Sequence, residues 1–321
     1  MTPDAPTVAA APESAAGRPL PGPPARHPRT AAAASPGAEA ASTDAGGPSG
    51  VGERPTTAPI GPRDLATLPA ALPFEHRPDS ARRAVLVLHG YTGSPLDLRY
   101  LAGRLADAGF AVSLPRLPGA GTEMNDLSRT GRRDWRRRVY DAWLDLRAEY
   151  DDIAVVGYSM GGLLALDLAT IVRPQALVLL APAVETVARA IPYAPLLAPF
   201  TRLIPEIGTD WDPDREENPD ARAHGRRYWV RRDLRSLAQF ARLQAEVRRK
   251  LRSVEAPVYV ASSDDDGTAA TEASLATLGR RLPRKIEGTL SLTGCRHDVP
   301  QGIHKERVAE AVIGWLEDTR R

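Results

Sequence analysis

Residues 153–163 read IAVVGYSMGGL. A short apolar run rich in β-branched residues, Ile153 to Val156, passes directly into Gly157-Tyr158-Ser159-Met160-Gly161. Apolar residues then recur at helical spacing to Ile171. This reads as strand, tight turn and helix, the context in which a Gly-x-Ser-x-Gly match carries meaning. The middle residue of such a turn is forced into an unfavourable backbone conformation. Its neighbours two before and two after must therefore be small, so that strand and helix can pass closely. Gly157, Gly161 and Gly162 meet that need. Ser159 is expected at the tip of the turn, with the Met160 N–H behind it at a helix N-terminus, where negative charge is favoured.

The surrounding chain supplies further strands. Residues 84–88 (AVLVL), 110–114, 176–180 (ALVLL), 257–261 (PVYVA) and 285–292 are short apolar runs. Helical stretches separate them. One begins at Ser94, an N-cap followed by Pro95 at the first helical position, and ends at Gly109. Another spans residues 131–150 with a stripe of Trp135, Val139, Trp143 and Leu146 that reads as core. Others cover residues 271–282 and 303–316. Alternation at this spacing predicts an α/β fold, a mostly parallel sheet with helices on both faces. Ligands sit at the carboxyl ends of the strands in such sheets. His89-Gly90, Ser159 and Ala181 all fall there.

Two segments break the alternation. Residues 1–62 are dominated by Ala, Pro, Gly, Ser and Thr and carry few large apolar side chains. Such a segment cannot bury enough surface to offset the entropy of ordering it, so disorder is expected there. It has neither the basic start nor the apolar run of a secretory signal. The folded domain is then expected over residues 63–321. Within it the strand signal stops from 182 to 256, too long a stretch for a plain loop. An inserted helical cap over the active-site end of the sheet is expected. Ile191, Tyr193, Leu196, Leu197 and Phe200, or Trp211, Tyr228 and Trp229, could form its apolar face.

The formal net charge of the 321 residues is +2. Arginine clusters such as Arg132-Arg133, Arg136-Arg137-Arg138 and Arg248-Arg249-Lys250 are interleaved with acids and read as solvated helix faces, so no nucleic-acid partner is expected. No apolar stretch approaches the ~20 residues that span a bilayer, and no stable membrane insertion is expected. Cys295 is the only cysteine. It fits a reducing compartment, and a cytoplasmic location is expected. The sequence shows no metal-ligand cluster and no phosphate loop, so neither metal nor cofactor is expected. It leaves the oligomeric state open.

A serine hydroxyl needs a base to remove its proton, and the base needs a third group to orient it. The chain supplies these in the order Ser159, an acid, His297. The acid comes from Asp264-Asp265-Asp266 after the 257–261 strand. Asp266 is favoured because the turn at Gly267 follows it, with Asp265 and then Asp264 as alternatives. His89 reads as shaping the loop after the first strand, and His304 as the exposed start of the last helix. A tetrahedral intermediate needs two donors, expected to be the backbone N–H groups of Tyr91 and Met160.

His89-Gly90-Tyr91-Thr92-Gly93-Ser94-Pro95, the Leu-Pro-x-x-Pro-Gly stretch ending at Gly119, Gly121-Thr122, Asp134-Trp135 and Gly157-Tyr158-Ser159-Met160-Gly161-Gly162 together resemble bacterial carboxylesterases of the α/β-hydrolase superfamily, close to the monoacylglycerol lipase group. The resemblance runs over residues 84–181 and 257–316. It implies the α/β-hydrolase fold, Ser159 as nucleophile, His297 as base, Asp266 as acid, oxyanion donors at Tyr91 and Met160, and no cofactor. The group carries Gly-His-Gly-Thr where this chain has Gly119-Ala120-Gly121-Thr122, and Ser-x-His-Val where it has Cys295-Arg296-His297-Asp298. The expected activity is hydrolysis of short- to medium-chain acyl esters or of monoacylglycerol, through an acyl-enzyme. An acyl thioesterase using the same triad and a non-catalytic small-molecule binder are the alternatives.

Overall fold

The computed structural model describes Leu68 and residues 71–200, 206–208, 218–228 and 231–319. The expected tail 1–62 and the expected cap residues Trp211 and Trp229 lie outside the described residues. In chain order the structure runs through β1 (Phe74–His76), β2 (Arg83–Leu88), α1 (Arg99–Asp107), β3 (Ala111–Leu114), α2 (Met124–Arg129), α3 (Arg132–Arg147), β4 (Asp152–Tyr158), α4 (Met160–Ala169) and β5 (Ala176–Leu180). Then come α5 (Ala194–Leu197), β6 (Glu206–Gly208), α6 (Pro219–Tyr228), β7 (Arg231–Asp233), α7 (Leu234–Lys250), β8 (Val258–Ser263), α8 (Thr271–Arg281), β9 (Gly288–Leu292) and α9 (Lys305–Asp318).

Among the described residues one seven-stranded sheet has the order β1-β3-β2-β4-β5-β8-β9. β1 pairs antiparallel with β3, and the other pairs are parallel. β4, the strand that leads into the tight turn Gly157–Gly161, or elbow, is thus the middle strand. Its residues are apolar on both faces because both are covered. Leu86, Leu88 and Val155 pack with Trp135, Val139, Trp143 and Leu146 of α3, Leu163 of α4 and Phe240 and Leu243 of α7. Val85, Val87, Ala154 and Val156 pack on the other face with Leu101 and Leu105 of α1 and Val308 and Val312 of α9.

The expected strands and helices all occur. Ser94 caps the turn before α1 as expected, with Asp97 completing a capping box. Sequence reading missed the antiparallel edge strand β1 and the two-stranded β6–β7 pair. Each is three residues long, too short for an alternation signal.

The turn between β4 and α4 depends on its glycines. A Cβ on Gly157 would lie 2.3 Å from the Gly161 carbonyl oxygen, and one on Gly161 would lie 2.0 Å from the Leu88 carbonyl oxygen. These neighbours are backbone and cannot yield cheaply. Gly161→Ala is therefore expected to cost about 3 kcal/mol or more. Gly103→Ala, on α1 with nothing within 4 Å of its added Cβ, is expected to gain about 0.5–1 kcal/mol from reduced unfolded-chain entropy. Urea denaturation of both variants checks this, and equal midpoints would refute the packing argument.

Candidate active site

Ser159 stands between β4 and α4 with φ 54° and ψ −114°, a backbone region that non-glycine residues occupy only under constraint. Thr92, Ala181 and Arg296 are the other described non-glycine residues at positive φ. Each follows the carboxyl end of a sheet strand, so the constrained backbone collects around the serine. The loop after β2 passes directly over it: a Cβ on Gly90 would lie 3.2 Å from Ser159 Cβ. Tyr91 follows in that loop. The Met160 N–H opens α4, where no intrahelical acceptor exists for it.

His297, between β9 and α9, places Nε2 3.0 Å from Ser159 Oγ. Its Nδ1 lies 2.7 Å from Asp266 Oδ2. The other oxygen, Asp266 Oδ1, accepts the N–H groups of Thr268 at 2.8 Å and Ala269 at 2.9 Å. That carboxylate is buried and its orientation is fixed from both ends. Asp264 and Asp265 face outward. Asp264 accepts from Ser291 Oγ and Asp265 from the Gly294 N–H. Of the three consecutive acids, Asp266 is the one brought to His297. The arrangement can deprotonate the serine at Nε2 while Nδ1–H is held by a carboxylate.

The other candidate histidines have different settings. His89 is buried, its Nδ1–H donates to the Gly90 carbonyl at 3.0 Å, and Nε2 accepts the Leu117 N–H at 3.0 Å. Burial pushes its pKa down to about 3, so it stays neutral and joins the loop after β2 to the loop after β3. His304 is the N-cap residue of α9, partly exposed, with Nε2 2.8 Å from the Thr293 carbonyl.

A cavity of about 550 Å³ opens beside Ser159 and His297. Ile191, Leu237 and Phe240 from the segment between β5 and β8 line it, as does Tyr91. Of the expected apolar cap residues, Ile191 reaches the cavity. Tyr193, Leu196, Leu197 and Phe200 are exposed. Tyr228 is fully buried, and its hydroxyl accepts the Thr122 N–H at 2.7 Å. It is a polar fastening between α6 and the loop after β3, not an apolar lid face. His224, stacked on Tyr228 with centroids 4.8 Å apart, donates from Nε2 to the Thr92 carbonyl at 2.8 Å.

Sequence reading missed Leu237 and Phe240. They lie on the buried stripe of α7 with Leu234, Ala241, Gln244 and Val247, whose helical spacing carries the signal. The arginines read as solvated faces also include two that are structural. Arg136 of α3 grips Asp167 of α4 with two bonds of 2.7 and 2.9 Å and Glu246 of α7 with one of 2.6 Å. Arg132 bonds Glu246 at 2.9 Å. Asp167 is 1 % exposed, so this network holds α7 against the elbow helix with little solvent screening.

Asp97 also lines the cavity and is 4 % exposed. Burial, with the Asp298 charge adding to it, pushes its pKa up to about 7. A carboxyl whose folded pKa is raised stabilises the fold below its unfolded pKa. That contribution is lost as pH rises through the folded value. Between about pH 4 and pH 8, Asp97→Asn is expected to gain stability relative to the wild type by up to about 4 kcal/mol, the worth of roughly three pH units. Denaturant titrations of both proteins across that range check this, and a difference independent of pH would refute it.

Among the described residues no group of three or more His, Cys, Asp or Glu side chains is placed to hold a metal ion. No helix among them is long and apolar enough to cross a membrane.

A family model described as the Alpha/beta hydrolase family matches residues 85–311. A thermostable monoacylglycerol lipase of Bacillus sp. (strain H-257) is 34% identical over 188 residues, covering 57% of this chain and 70% of that protein. A carboxylesterase of Bacillus subtilis (strain 168) is 25% identical over 193 residues, 60% of this chain and 75% of that protein. A solved structure reported for metagenome-derived lipolytic enzymes superimposes with a TM-score of 0.68 at 22% identity, covering 79% of this chain and all of the other, which speaks for the fold.

Proposed function

Because the chain belongs to the alpha/beta hydrolase family and is an ester hydrolase by its relatives, we propose that it cleaves short- to medium-chain acyl esters or monoacylglycerol through an acyl-enzyme on Ser159. His297 takes the serine proton as Oγ attacks the carbonyl carbon, then gives it to the leaving alcohol. Asp266 holds the imidazole in the tautomer with Nδ1 protonated and stabilises the imidazolium. The N–H groups of Tyr91 and Met160 receive the oxyanion. Water, deprotonated by His297, then releases the acid. The segment between β5 and β8 serves as the cap.

The observation that carries this reading is the continuous hydrogen-bond chain Ser159–His297–Asp266, ending on a serine held at positive φ above the sheet. The apolar wall of Ile191, Leu237 and Phe240 supports an acyl chain beside it. A p-nitrophenyl ester series from acetate to laurate tests the reading. Each added methylene is expected to raise kcat/KM by up to about fourfold, the worth of ~0.8 kcal/mol, until the cavity is full. A decline toward laurate follows. Absence of turnover across the whole series would remove the ester reading.

A further inference from the structure

Thr92, in the loop after β2, stands at φ 57°. A β-branched residue keeps that conformation only where its surroundings impose it. The bonds that hold this loop therefore decide where its N–H groups point.

One set of bonds comes from the sheet end itself. The Gly90 carbonyl accepts from His89 Nδ1 at 3.0 Å and from the Gly93 N–H at 3.2 Å. The Tyr91 carbonyl accepts from Thr92 Oγ1 at 2.6 Å. A second set comes from the segment between β5 and β8. His224 Nε2, on α6, donates to the Thr92 carbonyl at 2.8 Å. The Tyr91 hydroxyl lies 2.6 Å from Ser236 Oγ, in the first turn of α7. Ser236 Oγ gives its own proton to the Asp233 carbonyl at 3.1 Å, so the tyrosine is the donor of that pair. The Tyr91 ring also meets Phe240 of α7, with centroids 5.4 Å apart.

The second set is firmly based. His224 and Ser236 are both buried, and the Ser236 N–H donates to Asp233 Oδ1, the N-cap of α7, at 2.8 Å. Tyr91 and Thr92 line the cavity, whereas His224 and Ser236 do not. The latter two grip the lining loop from behind. We propose that His224 and the Tyr91 hydroxyl are positioning residues, through which α6 and α7 set the direction of the Tyr91 N–H. The proposal rests on the reading above in which that N–H receives the oxyanion. It gives the segment between β5 and β8 a part in transition-state stabilisation as well as in walling the cavity. Loosening a mere wall changes KM. Loosening an oxyanion donor changes kcat, because formation and hydrolysis of the acyl-enzyme both pass through an oxyanion.

The test measures Tyr91→Phe, His224→Leu and His224→Gln on one p-nitrophenyl ester, with urea unfolding of each. Tyr91→Phe and His224→Leu are each expected to lower kcat about tenfold with KM within about twofold of the wild type. His224→Gln, whose Nε2 can donate to the same carbonyl, should recover most of the loss. Tyr91→Phe keeps the ring and leaves Ser236 its own acceptor, so it reports even if His224→Leu folds poorly.

A trifluoromethyl ketone carrying the same acyl chain gives a second readout. Ser159 Oγ adds to its carbonyl carbon, the serine proton passes to His297, and the carbonyl oxygen becomes the oxyanion. Its affinity should fall in step with kcat/KM across the variants. A merely structural tie would lower the unfolding midpoint and leave both kcat and ketone affinity in place. Wild-type turnover with folded variants unchanged in kcat and ketone affinity, or with losses confined to KM, overturns the positioning role and leaves the ester reading standing. Neither turnover nor ketone binding by the wild type overturns both.

Discussion

Ser159→Ala is expected to lower kcat on a p-nitrophenyl ester by about 10⁴- to 10⁶-fold while leaving the fold intact. The two effects separate because Ser159 Oγ makes its hydrogen bond to His297, whereas the turn is held by backbone. The Ser159 N–H donates to the Leu180 carbonyl at 2.9 Å, and the Gly162 N–H donates to the Ser159 carbonyl at 3.0 Å. Alanine keeps all of these and has the same trouble with positive φ as serine. Its unfolding midpoint should match the wild type. The competing route is direct attack by water with His297 as base, which needs no serine oxygen. Activity within about tenfold of the wild type would establish that route and remove the acyl-enzyme. Labelling by a covalent serine probe, present in the wild type and absent in the variant, gives the same answer without turnover.

Asp266→Asn is expected to cost about 10⁴-fold in kcat. The asparagine carbonyl would take over the Thr268 and Ala269 N–H bonds now made to Oδ1. Its amide NH₂ would then face His297 Nδ1. That nitrogen would become an acceptor and the ring proton would move to Nε2, the atom 3.0 Å from Ser159 Oγ. An Nε2 that already carries its proton cannot accept the one from serine. Asp264→Asn and Asp265→Asn leave this arrangement alone and are expected to change kcat less than about threefold. Steady-state rates of the three variants decide the matter. A large loss in Asp264→Asn or Asp265→Asn with little in Asp266→Asn would move the acid elsewhere.

These three acids also mark where sequence reading stops. β8 was legible from the five-residue apolar run 257–261, after the stretch 182–256 without strand signal. Which of Asp264, Asp265 and Asp266 turns inward depends on the path of the turn. That path is set by long-range bonds such as Ser291 Oγ to Asp264 and the Gly294 N–H to Asp265, and nothing local encodes them. The elbow was legible for the opposite reason. Its strand, its glycines and its helix are contiguous, and the steric demand at Gly157 and Gly161 is local. Asp97 shows a third case. Its capping-box position is readable from its spacing after Ser94, yet its burial is not, and two of the side chains that act on its carboxyl, Asp298 and Gln301, lie some two hundred residues away. Arg136 could not be told from its exposed neighbours Arg133 and Arg137 until α3, α4 and α7 were placed together.

The network around Arg136 reaches further than its own surroundings. Phe240, in the cavity wall, and Glu246, in Arg136's grip, belong to one helix and stand six residues apart, or about 9 Å along its axis. A rigid rod transmits displacement along its length. Part of the bore of the cavity is therefore set by charges on α3 and α4 that do not line it. Drift among those acids and bases offers a lineage, or an engineer, a way to retune the shape of the cavity while leaving Ser159, His297 and Asp266 untouched.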